Sequence, residues 1–295
     1  MALFQLPLVY LDWNIFDGLS KGRFAELGEN LITARDAGII HVPYSEWHLY
    51  EAVHTRNSSA LDELASRNLD AIRKYSNLVY VWEDDNPQGW IIGRAAKDSI
   101  FDTSTAQRLV EISELLKPIL AAFTVVREQV IPYGLQPGVL NKYPFDEVIA
   151  KINELLLMPT NIEKYKAFAP NGITYEELVR MSLRFMPEST DEIQQVAGIY
   201  FMVDQLGYYS DKSIQNNVMS LWRDSMHVGW ASRGQMLVSD DERLRMKALL
   251  TYHTLGIQTP VLDPQMANLV LSDLIENGDE IKRAFTQCYE SKNNG

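Results

Sequence analysis

Two short apolar runs, one near each end of the chain, stop at acids, and nothing else in the sequence limits the fold as strongly. Leu8-Val9-Tyr10-Leu11 runs into Asp12-Trp13-Asn14, and Met236-Leu237-Val238-Ser239 runs into Asp240-Asp241. An apolar run of about four to six residues that ends at a carboxylate reads as a buried strand with an acid at its C-terminal edge. Open α/β sheets gather ligands and metals at that edge. If the two strands are neighbours in one sheet, their acids face one crevice. Crowded carboxylates repel each other, and a hard divalent cation, which prefers oxygen ligands, offsets that repulsion.

The segments between these runs alternate at first. A strand near 7–12 precedes a helix near 22–37 with Gly38 as its C-cap, then a second strand, Ile39-Ile40-His41-Val42-Pro43. Ser45 caps a helix reaching about Arg56, a helix follows over 59–75, and a third strand covers 78–82. From about 98 to 207 helical periodicity takes over, near 103–128, 144–157, 173–185 and 190–206, punctuated by Pro132, Pro159 and Pro187. The α/β pattern then resumes: a helix at 212–232, a strand at 235–239, a helix at 241–255 ended by Gly256, and a strand at 257–262. The expectation is a three-layer α/β/α fold with a central, mainly parallel sheet of about five strands, built from both ends of the chain. Residues 1–97 and 210–263 form the discontinuous α/β domain in this reading, 98–209 a helical insertion and 264–295 a C-terminal helical tail.

The net charge of −12 argues against a protein that coats nucleic acid through a general electrostatic clamp. It leaves room for a nuclease with local cations, for which Arg243, Arg245, Lys247, Arg94 and Lys97 are candidates, as they are for ordinary solvated charges. Cys288 is the only cysteine, which excludes disulfide frameworks and cysteine-based zinc sites. No segment approaches the roughly 18 uninterrupted apolar residues of a membrane span. The first residues carry no basic stretch, so no signal peptide and a cytoplasmic location are expected.

Asp12 is a metal ligand or the N-cap of the next helix, and Asn14 can orient it. On a helix starting at Ser45, His48 and Glu51 share a face, which lets Glu51 project back toward the strand ends or leaves it in solvent. Asp224 and His227 are also three apart on one helix; His227 reads as a partly buried hydrogen-bonding residue, with the acid as the ligand. Asp240 and Asp241 cannot face the same way, so one ligates and the other caps the helix beginning near Glu242. Tyr133, Tyr143, Phe145, Tyr165 and Phe168 in the insertion are packing residues or stacking platforms for bases.

In four places these residues resemble a PIN-like nuclease domain: Val9 to Asn14, Pro43 to Glu51, Asp224 to Ala231 with its Asp-x-x-His-x-x-x-Ala, and Leu237 to Asp241. The resemblance covers roughly 7–83 and 210–263. Trp13 stands where the family has a small polar residue, Ser239 where it has Thr, and Asp240 where it has Asn. The resemblance implies a metal-dependent endoribonuclease, a toxin or defence effector, with Asp12, Glu51, Asp224 and Asp241 holding Mg2+ or Mn2+. Asn14, Ser239, Asp240 and His227 would support the acids, and Lys247 would offset charge on the scissile phosphate. Its partners would be RNA, a protein partner or inhibitor, and a second copy in a homo-oligomer. The alternatives are a catalytically silent PIN-like scaffold that binds a protein through the insertion, or a nuclease for single-stranded or flapped DNA.

Overall fold

The structure is a computed structural model that describes residues 6–53, 61–76, 79–83, 90–94, 135–167, 169–184, 186, 191–210 and 218–278. The chain divides into two compact units, one of residues 1–112, 230–245 and 259–295, the other of residues 113–229 and 246–258. No helix among the described residues is long and apolar enough to cross a membrane.

The first unit is organised around a small parallel sheet. Strand β1 (Val9–Leu11) pairs with β4 (Met236–Val238), and β4 with β5 (Val261–Leu262), in the order β1-β4-β5. Every residue of β1 and β4 is buried, as expected of apolar runs covered on both faces. Each strand passes directly into a helix: β1 into α1 (Trp13–Ser20), β4 into α10 (Glu242–Leu255) and β5 into α11 (Pro264–Glu276). Helix α2 (Ala25–Asp36) packs on α11, and α4 (Leu61–Ser76) packs on both α1 and α3 (Glu46–Val53). Leu11, Phe16, Leu31, Ile40, Ile72 and Val238 are at the centre of the resulting core. Gly38, at φ 64°, ends α2 in the left-handed conformation that glycine adopts without steric cost.

This is not the sheet-centred three-layer α/β/α architecture with about five strands that the sequence leads one to expect. The described residues are mostly helical, and the parallel sheet has three strands. Two expected strands are missing from it. Ile39–Pro43 contributes a single parallel bridge, Leu8 with His41, because Pro43 has no N–H to extend a ladder and the chain turns into α3 three residues later. The run expected as the third strand forms β2 (Val79–Glu83), which pairs antiparallel with β3 (Trp90–Arg94) in a separate two-stranded sheet.

The second unit is helical. It contains α5 (Val148–Leu156), α6 (Pro159–Tyr165), α7 (Tyr175–Arg184), α8 (Glu192–Gln205) and most of α9 (Val218–Ala231). Asp191 caps α8, its carboxylate accepting from the Gln194 N–H at 2.7 Å. Leu140, Val148, Ile152, Tyr175, Val203, Tyr208 and Leu250 form the core, and Tyr143 and Phe145 pack at its margin. The helix expected at 103–128 lies outside the described residues, as do Lys97, Tyr133, Phe168, Cys288 and the end of the expected C-terminal helices.

Candidate functional site: acids at the sheet edge

Asp12 is the first residue beyond β1, and Ser239 the first beyond β4. The Leu11–Val238 register sets them side by side at the C-terminal edge of the sheet. The ladder runs one step further: the Asp12 N–H donates to the Val238 carbonyl at 2.8 Å, and the Ser239 N–H to the Leu262 carbonyl at 3.1 Å. Asp12 is only 2 % exposed. Its Oδ1 accepts from the Trp13 N–H at 2.8 Å and so caps α1. Its Oδ2 accepts from Asn14 Nδ2 at 3.1 Å and from Ser239 Oγ at 2.9 Å. These three donors leave one of the roughly four acceptor directions of a carboxylate. Cap and ligand are therefore compatible roles for one carboxyl group.

The electrostatics of Asp12 are not those of an ordinary acid. Burial, followed by the negative charge of Glu51, raises its pKa to about 7; Asp241 adds to the rise, and the Ser239 hydroxyl opposes it. Glu51 is half-buried on α3. Asp241 is half-buried too, and its Oδ1 accepts from the N–H groups of Arg243 at 2.8 Å and Leu244 at 3.3 Å, which makes it the cap of α10. Ser239 links the two aspartates: its Oγ donates to Asp12 and accepts from the Asp241 N–H at 3.1 Å. Glu51, Asp241, Asn14 and Ser239 thus act on the one carboxyl group of Asp12. Asp240 is exposed and turns instead to Arg23, 3.5 Å away.

The second unit holds the other expected residues. Asp224 is half-buried on α9. His227 is fully buried, and burial, reinforced by the nearby Arg223 charge, lowers its pKa to about 3, so the ring is neutral near pH 7. Lys247 is buried in an ion pair with Asp204 at 3.0 Å, its ammonium 4.7 Å from the centre of the Tyr200 ring. Of the other expected cations, Arg245 donates to the Ser239 carbonyl at 2.8 Å, and Arg243 is 3.8 Å from Asp241. The side chain of Arg94 is outside the described residues.

Two features of the first unit carry little sequence signal. Arg23, on the turn between α1 and α2, lies over the Phe24 ring at 5.1 Å and reaches the Asn14 carbonyl at 3.4 Å. With Asp240 and Asp263 it lines an open cleft of about 600 Å3. The second feature is the buried chain from Tyr10 through Ser45 and His48 to the Leu11 carbonyl. Only the i, i+3 spacing of Ser45 and His48 hinted at it.

Among the described residues, no three acids, histidines or cysteines lie close enough together to form a ready-made metal cage. The donor chemistry nevertheless fits a hard divalent ion. Mg2+ keeps several waters and needs only one or two carboxylates, and Asp12, Glu51 and Asp241 raise the proton affinity of one site in a way that a cation would relieve. Compared with known protein families, curated proteins and solved structures, the chain matches none.

Proposed function

We propose that this chain is a divalent-metal-dependent phosphodiesterase that cuts RNA, with Asp12, Glu51 and Asp241 as the metal-holding acids of its first unit. The observation that carries the reading is the buried Asp12 carboxyl at a parallel-sheet edge, its pKa raised to about 7 by burial and by Glu51. Perturbed carboxylates of this kind concentrate at functional sites. The resemblance of the flanking motifs to PIN-like nucleases supplies the substrate class. What Mg2+ or Mn2+ contributes in such a site is acidification of a coordinated water and neutralisation of charge on a phosphodiester.

The residues of the chain do the rest. Asn14 and Ser239 hold Asp12 Oδ2 in place, leaving Oδ1 with a single protein donor. The Asp241 side chain is fixed by the first turn of α10. Arg23, half-exposed and held by contacts of 3.4 to 3.8 Å, is a cation available to a phosphate beside the acids.

The test is incubation of labelled total RNA with Mn2+ and with chelator, using wild type, Asp12→Asn and Asp241→Asn. Cleavage that needs the metal and falls at least 100-fold in Asp12→Asn is the expected result. Undiminished cleavage in both variants would rule the reading out. A binding-only scaffold is the second reading, favoured by the use of Asp241 as a helix cap. It predicts no calorimetric Mn2+ signal near neutral pH.

A further inference from the structure

His48 is completely buried, yet every polar atom of its ring is engaged. The Ser45 N–H points at Nδ1 from 3.0 Å. An amide N–H can only donate, so Nδ1 carries a lone pair and the ring proton is on Nε2. That proton is donated to the Leu11 carbonyl at 2.7 Å. Tyr10 and Phe16 hold the ring from two sides, at centroid distances of 5.0 and 5.1 Å. The Ser45 hydroxyl, 3.0 Å from the Tyr10 hydroxyl and 3.2 Å from Nδ1, completes the enclosure.

This geometry has a consequence at each end of the ring. The Leu11 carbonyl belongs to the peptide that carries Asp12, so the Nε2–H bond fixes the plane from which the Asp12 side chain departs. The Nδ1 bond is the return arm of a capping box, with His48 in the part usually played by Glu or Gln, and it satisfies the Ser45 N–H where α3 begins. Glu51 is one turn further along α3, on the face of His48. A single neutral imidazole therefore ties the residue before one acid to the helix turn before the other.

We infer that His48 is a positioning residue that holds Asp12 and Glu51 in register with each other for cation binding. The inference rests on the metal-site reading above, and its test separates the two. Gln can accept from the Ser45 N–H through Oε1 and donate to the Leu11 carbonyl through Nε2, whereas Asn is too short to span both and Leu can do neither. Mn2+ affinity is measured by calorimetry on the full chain for wild type, His48→Gln, His48→Asn and His48→Leu, with folding checked by circular dichroism. His48→Gln is expected to stay within about threefold of wild type, and His48→Asn and His48→Leu to lose at least tenfold. A role in packing alone predicts no such rescue by Gln.

Wild-type affinity in folded His48→Leu or His48→Asn would overturn the inference. A wild type that binds no Mn2+ would remove the functional reading but leave this one open to test in the metal-free protein at fixed pH. There the Asp12 Cγ resonance should move in His48→Asn and return in His48→Gln. An unmoved resonance in His48→Asn would overturn it.

Discussion

At the scale of single residues, Asp12 concentrates the tension in this molecule. Its unfolded carboxyl has the ordinary value of 3.8, and its folded one about 7. Between those values the folded chain holds a proton that the unfolded chain has released, so stability falls as pH rises from about 4 to about 7 and is level above. The effect is on the order of 4 kcal/mol for a fully buried group. Asp12→Asn takes no part in this titration. In urea melts at pH 4.5, 6 and 8, its stability relative to wild type should therefore increase steadily with pH, by up to about that amount. A constant difference would mean that Asp12 titrates normally. Saturating Mn2+ should flatten the wild-type curve, because binding the ion displaces the same proton.

At the scale of elements, the two strands that stop at acids were legible, because an apolar run and an abrupt carboxylate are local signals. Helices α7, α8, α9 and α10 followed from their periodicity and caps for the same reason. The sheet itself was not legible. Whether Ile39–Pro43 joins a ladder depends on a missing proline donor and a turn into α3, and whether Val79–Glu83 pairs in parallel depends on β3, which is short and gives little periodic signal. The motif from Asp224 to Ala231 shows a different limit. Gly229 lies within it, and a Cβ there would come within 2.7 Å of the Ile193 carbonyl oxygen, so close packing of α9 on α8 accounts for that glycine without any chemistry.

Lys247 is a similar case. Its position after the acid strand resembled that of a substrate-facing cation, but the face of α10 that carries it is turned toward Asp204 on α8, a partner 43 positions away in sequence. Removing one member of a buried pair leaves an uncompensated charge, at a cost of about 3–5 kcal/mol. Lys247→Met should therefore destabilise the second unit by that amount in thermal melts. Lys247→Met combined with Asp204→Leu should recover most of the loss. If Lys247→Met proved as stable as wild type and instead lost only RNA cleavage, the pair would be incidental and the substrate role restored.

At the scale of the whole molecule, a net charge of −12 and a candidate site made of acids set a joint condition on how the proposed function would hold RNA. Polyanion and protein repel each other at separations within the Debye length of about 8 Å at physiological salt, so the net charge supplies no general electrostatic clamp for non-specific affinity. Under the proposed function, binding then depends on an ion between the acids and a phosphate, aided by a few cations such as Arg23. Two measurable consequences follow for the uncleavable analogue of a single-stranded RNA. Without divalent ions it should show no retention in a filter assay at 150 mM salt. With Mn2+ it should bind, and the slope of log K against log salt should stay shallower than about −2, since each neutralised phosphate of a single strand contributes about −0.7. Arg23→Ala should make that slope shallower still and weaken binding without affecting Mn2+ affinity. Tight binding without metal and a slope near that of a many-contact protein would place RNA on a basic surface elsewhere, and the acids at the sheet edge would then need another ligand.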